Sequence, residues 1–355
     1  MADLPSPYES TGLAHLAAAG WNVEVVYLGS PDGLAFYDPE LGATRAWESA
    51  ASGAVTIAPT RTSEWLRFAR RVTRAERVVV AGYGTGRLIV TLFLALLMAR
   101  GRAVTRSDSV RAGKFVFAKR AVYRLLASRG GRGAAVGKAS ERVLTKHFGL
   151  ASDKVLRMPY LLPPAAMAQA PSAPATRPKV MAAFRFVHRE GALVMVEVLR
   201  TISTRRPDVD VVVAGDAVGD LADEVRALLS GHPGIRYLGW VPYSEYLREL
   251  ATAHVYVHLP LDEPWGTSLV DAAALGVPMV TTPTCFASQD LAPIVGEGMT
   301  VVPTGACDAA VDAVLNQLAG SRISQAAIEQ VRREFAGSTW VEALGHPSAV
   351  APPNQ

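Results

Sequence analysis

Glu263 and Asp271 stand eight positions apart, separated by a turn that Pro264 and Gly266 break and by a run of helix-forming residues. Gly266 carries no side chain, so backbone amides can come close to a ligand there. The helix opening through Thr267, Ser268 and Leu269 offers unpaired N–H groups to a phosphate. Glu263 falls at the turn and Asp271 about one turn inside the helix. Carboxylates placed so can accept hydrogen bonds from two sets of sugar hydroxyls. The same residues also fit an ordinary strand–turn–helix with a capping Ser or Thr and a solvent-facing Asp. By physics alone the two readings weigh evenly.

Other chemistries find less footing. The seven histidines are scattered, with no two placed four apart on a helix. The two cysteines, Cys285 and Cys307, make neither a metal nor a redox spacing. Metal-independent chemistry without a cofactor is therefore the expectation. The turn Gly82-Tyr83-Gly84-Thr85-Gly86 follows a strand and opens a helix. Its spacing is wrong for a dinucleotide fingerprint, and no acidic residue follows at the distance a ribose would need.

The elements that must position Glu263 and Asp271 alternate short β-branched runs with helical stretches, the pattern of parallel α/β sheets. In the first half, residues 22–28, 55–58, 77–82, 103–105 and 134–136 read as strands. Helices fall at 13–19, 64–73, 87–100 and 141–148. A Pro/Ala-rich stretch at 164–178 has the character of a linker. The alternation then restarts, with strands at 179–184, 209–215, 235–238, 255–259 and 279–282. Helices are expected at 192–205, 221–230, 243–251, 268–275 and 308–318. With 355 residues, two Rossmann-like domains facing across a cleft are the expected architecture. Residues 1–163 would form the first domain and 179–330 the second. Residues 331–343 would be a closing helix, and 344–355 a flexible tail. A doubly wound domain opens on a buried strand, whereas here the turn at 5–12 follows Met1 almost at once. The first strand is accordingly expected to be missing or to lie upstream.

The formal net charge of +4 conceals an asymmetry. Between Arg100 and Lys146 stand thirteen Lys and Arg residues against Asp108 and Glu141, enough to make either a solvated basic face or a surface for anionic lipid or an anionic acceptor. No aromatic-interleaved platform accompanies the charge, so nucleic acid is not expected as a partner. The apolar run 88–98 is too short to span a bilayer, which takes roughly 20 residues. The N-terminus carries Asp3 and Glu9 and no apolar run, so no secretory signal is expected. A cytoplasmic location, peripheral on the inner face of the membrane, fits these features.

The segment Glu263-Pro264-Trp265-Gly266, Asp271, Ala272, Ala274, Gly276, Pro278 resembles the signature of the retaining glycosyltransferase family 4, which has the two-domain GT-B fold. That signature is Glu-Pro-Phe-Gly, a second Glu eight residues after the first, then Ala-x-Ala-x-Gly-x-Pro-Val. The resemblance extends to Val211–Asp216 and to residues 235–241, and more weakly to 149–160. It implies that Glu263 contacts donor-sugar hydroxyls, that the amides from Gly266 to Leu269 hold sugar and phosphate, and that Asp271 binds the ribose. Gly215 and Val241 would lie at the nucleotide. The family also places Arg and Lys five apart before a Gly. Here Arg185 and Gly191 match, but Glu190 holds the Lys position with Arg189 beside it. The expectation is that Arg189 substitutes at the diphosphate, and that lysine at 190 tightens donor binding if the carboxylate faces the phosphates. On the acceptor side, Tyr8 and Gly12 would belong to the family's glycine-rich loop, and Asp108 would stand where many relatives carry a His.

The function so implied is transfer of a sugar, with retention, from a nucleoside-diphosphate sugar to a glycan, lipid-linked or natural-product acceptor. The alternative is a non-catalytic auxiliary or binding subunit of the same fold, suggested by Glu190, the absent His and the missing first strand.

Overall fold

A computed structural model of the chain describes residues 7–27, 35–38, 43–46, 54–57, 62–81, 98–99, 101–111, 116–215, 221–320 and 322–347. The Gly82–Gly86 turn, most of the apolar run at 88–98, Asp216 and the end of the tail lie outside these residues. The chain divides into two compact units. One comprises Met1–Phe36, Thr44–Leu161 and Ala336–Gln355; the other comprises Leu162–Phe335 and Tyr37–Ala43.

In the first unit, β1 (Glu24–Tyr27) pairs in parallel with β4 (Ala54–Ile57); between them in the chain come the short strands β2 (Ala35–Asp38) and β3 (Ala43–Ala46), whose residues are divided between the two units. A four-stranded parallel sheet follows in sequence order: β5 (Val78–Ala81), β6 (Ala103–Ser107), β7 (Arg132–Ala135) and β8 (Val155–Arg157). Every residue of β6 is buried, as expected of a parallel strand covered on both faces. The helix Val116–Ser128 turns Tyr123 and Leu126 inward, where Tyr123 stacks on Phe148 with centroids 4.9 Å apart. Of the thirteen basic residues of the run, Lys119, Arg120 and Arg124 stand on this helix, and the two arginines are exposed.

The second unit carries a six-stranded parallel sheet in the order β11-β10-β9-β12-β13-β14. Its strands are β9 (Lys179–Ala183), β10 (Asp210–Ala214), β11 (Ile235–Gly239), β12 (Val255–His258), β13 (Met279–Thr281) and β14 (Met299–Val301). Consecutive apolar residues make these strands, and helices bury them: Val180, Val211, Val213, Val255 and Val257 pack with Met195, Leu199, Ile202, Val311 and Val314 in one core. Each such side chain contributes roughly 1.5–3 kcal/mol by leaving water.

The Pro/Ala stretch expected to be a linker is packed within the second unit. Pro164–Ala168 is a short helix, Arg332 Nη2 donates to the Gln169 carbonyl at 2.6 Å, and Ala175 N donates to the Thr252 carbonyl. A guanidinium and a strand-like backbone contact hold residues that composition alone marks as loose. At the other end, two helices replace the expected single one, Gln325–Glu334 and Ser338–Leu344. Between them the chain returns to the first unit at Ala336. Gly337 lies so close to His15 that a Cβ would stand 2.0 Å from the imidazole.

Candidate functional site

β9 has β10 on one side and β12 on the other, and the chain builds outward from β9 in both directions. Beyond the carboxyl ends of such neighbours an open α/β sheet leaves a crevice. From β9 the chain enters the segment Phe184 to Gly191; from β12 it enters Leu259 to Gly266. The two loops are joined by their backbones, because Leu261 N and Asp262 N both donate to the Arg189 carbonyl at 2.9 Å. Gly191 permits that approach: its φ is +68°, and a Cβ would lie 2.4 Å from the Leu259 carbonyl oxygen.

Four charges meet across this junction. Glu190 Oε2 accepts the Arg185 backbone N–H at 2.7 Å, and Oε1 accepts its Nε–H at 2.5 Å. Arg189 Nη1 donates to Glu263 Oε2 at 3.2 Å, while its Nη2 lies 3.8 Å from Glu190. Arg185, Arg189 and Glu263 are thereby brought together, and the four formal charges sum to zero. The condition on which lysine at 190 would tighten donor binding, a carboxylate turned to the phosphates, is not the arrangement of this side chain. Its carboxylate is buried and spent on Arg185, because a buried carboxylate needs donors and the nearest are one turn back in its own loop. Glu263 is mostly enclosed, and burial pushes its carboxyl up. His258, at the end of β12, is fully buried with both ring nitrogens unpartnered. Burial lowers its pKa, against the pull of Glu263 and Glu190, and so favours the neutral ring.

From Glu263 the chain turns into the helix Thr267–Ala274. Trp265 N donates to Glu263 Oε1 at 3.3 Å, which fixes the carboxylate to the turn. Gly266 is the N-cap with φ +96° and no side-chain cap, and a Cβ there would stand 2.3 Å from Cys285 Sγ. Thr267 and Ser268 are partly exposed while Leu269 is buried, so the helix opens toward solvent at the end where its dipole favours an anion. Cys285 itself is buried, and burial raises its thiol pKa, which marks a packing residue rather than a nucleophile.

Asp271 is 1% exposed. Tyr243 Oη donates to its Oδ1 at 2.8 Å, its Oδ2 is buried without a partner, and burial pushes the carboxyl up to about 7. The solvent-facing Asp of the bland reading is excluded. Gly215 follows β10 with φ +154°, where a Cβ would meet the Phe184 carbonyl oxygen at 2.1 Å. It is tied to β11 through Gly215 N to the Gly239 carbonyl. Val241 follows two residues on and is partly exposed.

In the first unit the expected acceptor loop is not a loop. Tyr8 and Gly12 lie within the helix Pro7–Ala18, started by Pro7 and by Glu9 in the first turn. Gly12 serves packing, since a Cβ there would meet the Trp340 ring at 2.3 Å. Asp108 is exposed and accepts the Tyr160 hydroxyl at 3.2 Å; burial pushes the Tyr160 phenol up. Beside it Arg106 is buried, donates to Glu9 Oε1 at 2.6 Å and to the Met158 carbonyl at 2.9 Å, and lies over the rings of Tyr160 and Trp340.

Sequence reasoning missed Tyr243, His258 and the hydroxyls of Thr282 and Thr284, which both donate to the Pro260 carbonyl. Only Tyr243 carried a legible signal, a tyrosine just after Pro242 at a helix start. Among the described residues no group of His, Cys, Asp and Glu is arranged to hold a metal ion, and no helix is long and apolar enough to cross a membrane.

Residues 177–319 match the family model described as Glycosyl transferases group 1. The chain is 30% identical over 149 residues to a phosphatidylinositol N-acetylglucosaminyltransferase subunit of Arabidopsis thaliana, covering 41% of this chain and 33% of that one. It is 27% identical over 99 residues to the gpi3 subunit of the transferase of that name in Schizosaccharomyces pombe, covering 28% and 22%. The matches therefore span a third or less of these relatives. Among solved structures, a glycosyltransferase from Rickettsia africae superposes with a TM-score of 0.73 at 14% identity, covering 96% of this chain and 94% of that one. WaaG, a glycosyltransferase involved in lipopolysaccharide biosynthesis, gives 0.59 at 15% identity with 96% and 95% covered. Anabaena HepE in complex with UDP and glucose gives 0.58 at 14% identity with 81% and 84% covered. Likeness at this level of identity establishes the fold, which is GT-B.

Proposed function

We propose, from the premise that residues 177–319 are a group 1 glycosyltransferase domain in a GT-B chain, that the protein transfers a sugar from a nucleoside-diphosphate sugar to an acceptor. The observation that carries this reading is the joining of Arg185, Arg189 and Glu263 beside the uncapped helix start at Gly266. In it, Arg185 and Arg189 hold the diphosphate and stabilise it as it departs, with the amides of Gly266, Thr267, Ser268 and Leu269. Glu263 accepts from the sugar hydroxyls, and Gly215 and Val241 border the nucleotide. Retention of anomeric configuration follows from the family resemblance, and no metal or organic cofactor takes part. The relatives named for N-acetylglucosaminyl transfer to phosphatidylinositol favour a lipid-linked acceptor within the acceptor classes.

Glu263→Ala tests this reading. The variant is expected to keep its fold by circular dichroism and to lose transfer in a panel of nucleotide sugars preselected by thermal shift. Wild-type turnover in that variant would remove Glu263 from the site.

A second reading, a non-catalytic donor-binding subunit, is favoured by the neutral sum of the four charges, which weakens the grip on a diphosphate. Donor-dependent thermal stabilisation with no turnover across acceptors would decide for it. Attachment to an anionic membrane surface draws on the helix Val116–Ser128, where Phe117 is 87% exposed and Arg120 and Arg124 also face outward. Sedimentation with phosphatidylglycerol vesicles should fall with salt and with Phe117→Ser; sedimentation indifferent to both would leave only a solvated basic face.

A further inference from the structure

The helices Ala192–Arg205 and Ala222–Ser230 lie side by side on one face of the second sheet. β9, β10 and β11 are parallel neighbours, so each helix carries the chain back against the strands by a right-handed crossover, and the two point the same way. Thr204 Oγ1 and His232 Nε2, 3.4 Å apart, join their far ends. Between the helices runs a groove of about 580 Å³. Leu193, 38% exposed, and the half-buried Leu228 give it an apolar lining. Its charges are sorted by sign. Glu224 stands in the first turn of its helix and Glu197 in the second turn of the other. Arg200 and Arg205 follow about one and about two turns beyond Glu197. Parallel helices add their dipoles, and acid near the amino ends with base near the carboxyl ends offsets both. Some of these groups are already engaged: Arg205 lies 3.8 Å from Asp308 and 3.7 Å from Asp312, and Glu197 Oε2 accepts the Cys307 thiol at 3.3 Å. Arg200 and Glu224 are exposed and form no ion pair among the described residues.

We propose that this groove is the contact face of a homodimer, closed by the same groove of a second copy turned end for end about an axis that crosses both helices. A face acidic at one end and basic at the other complements itself in that orientation. Each helix then runs antiparallel to its copy, and Glu197 stands against Arg200 while Glu224 meets the opposite end of the groove. A partner carrying one sign of charge is repelled at one end or the other. Closure also takes Leu193 and Leu228 out of water. Helices of 14 and 9 residues present a face at the lower limit of specific interfaces, so the association is weak, with a Kd of about 10–100 µM.

The test is sedimentation equilibrium of the full chain from about 1 to about 300 µM, a range that brackets this Kd. Wild type is expected to dimerise, and to do so about tenfold more weakly when sodium chloride rises from roughly 50 to roughly 500 mM. In a two-fold dimer each contact occurs twice, so Glu197→Arg and Arg200→Glu should each weaken association by about tenfold or more. An equal mixture of the two variants should associate at least as tightly as wild type, because paired cations on one copy then face paired carboxylates on the other. Both positions are exposed, and circular dichroism checks that the fold survives. Leu193→Ser is a second, uncharged probe that should also weaken the dimer about tenfold. A wild type still monomeric at about 300 µM overturns the proposal and leaves the groove to solvent or to a helix of another protein. A dimer indifferent to salt and to all three substitutions overturns it as well, as does a mixture of folded variants that stays monomeric.

Discussion

Glu190→Lys separates two pictures of the cationic grip, because they predict opposite signs. Were the carboxylate facing a diphosphate, lysine would tighten donor binding. In the structure Glu190 is the acceptor for two donors of Arg185, with Oε2 at 2.7 Å from the backbone N and Oε1 at 2.5 Å from Nε. Lysine accepts nothing. It strands the Arg185 N–H at a cost of roughly 1–3 kcal/mol and sets a third cation between two guanidinium groups. Breaking a fully buried pair costs about 3–5 kcal/mol; the Glu190 side chain is 8% exposed but Arg185 is 31% exposed, and water screening of the arginine lowers that figure. A net loss on the order of 3 kcal/mol is expected, or roughly 6–12 °C in the melting of a unit this size. Glutamine, which keeps one acceptor oxygen, should cost about half as much. Calorimetric melting with and without UDP reads both stability and binding. An unshifted melt together with tighter UDP binding in Glu190→Lys would refute the reasoning, since Glu190 would then be opposing the ligand and not holding Arg185.

Three further substitutions follow from the geometry. Gly266→Ala combines φ +96° with a Cβ 2.3 Å from Cys285 Sγ, and about 1–3 kcal/mol of stability should be lost. Cys285→Ala should recover the steric part alone, and a melting temperature unchanged in the single variant would contradict this. Gly12→Ala should destabilise although alanine is the better helix former by roughly 1 kcal/mol, because the added methyl meets the Trp340 ring at 2.3 Å; a rise in melting temperature would show that the helix relaxes away. The pH dependence of Asp271 has a definite sign. Burial raises its pKa from 3.8 to about 7, so the folded state holds the proton more tightly. The stabilisation is complete below about pH 4 and is lost as pH rises through about 7, on the order of 4 kcal/mol. Urea midpoints of Asp271→Asn should lack that component, and parallel pH profiles for variant and wild type would exclude it.

Local periodicity made most of the second sheet legible. Runs such as Val211-Val212-Val213 and Val255-Tyr256-Val257 can only be strands covered on both faces, and the observed helices Ala192–Arg205 and Tyr243–Ala251 have the bounds that their apolar spacing gives. β8 and β14 were illegible because they are edge strands with partly exposed residues, so no run of consecutive buried residues marks them as it marks the equally short β13. The Pro/Ala stretch failed for a different reason. Composition reports the chain's own stiffness, whereas Arg332, 163 residues from Gln169, decides that the stretch is packed. Tyr8 to Gly12 failed likewise: Gly12 reads as turn chemistry until Trp340 supplies a reason for a glycine inside a helix.

The same division runs through the candidate site. Glu263, Pro264 and Gly266 are legible because the role proposed for them follows from the backbone turn they make, a property of four adjacent residues. The partners of the charges are not, because each pairing is settled by which buried group lacks a donor. Glu190 could have met a ligand or Arg185; the loop brings the Arg185 N–H to it at 2.7 Å, and a buried carboxylate takes the donor that is always present over one that arrives only with substrate. Asp271 and Tyr243 meet across 28 positions by the same rule, since an aspartate in the second turn of a packed helix ends beneath the surface and must be bonded there.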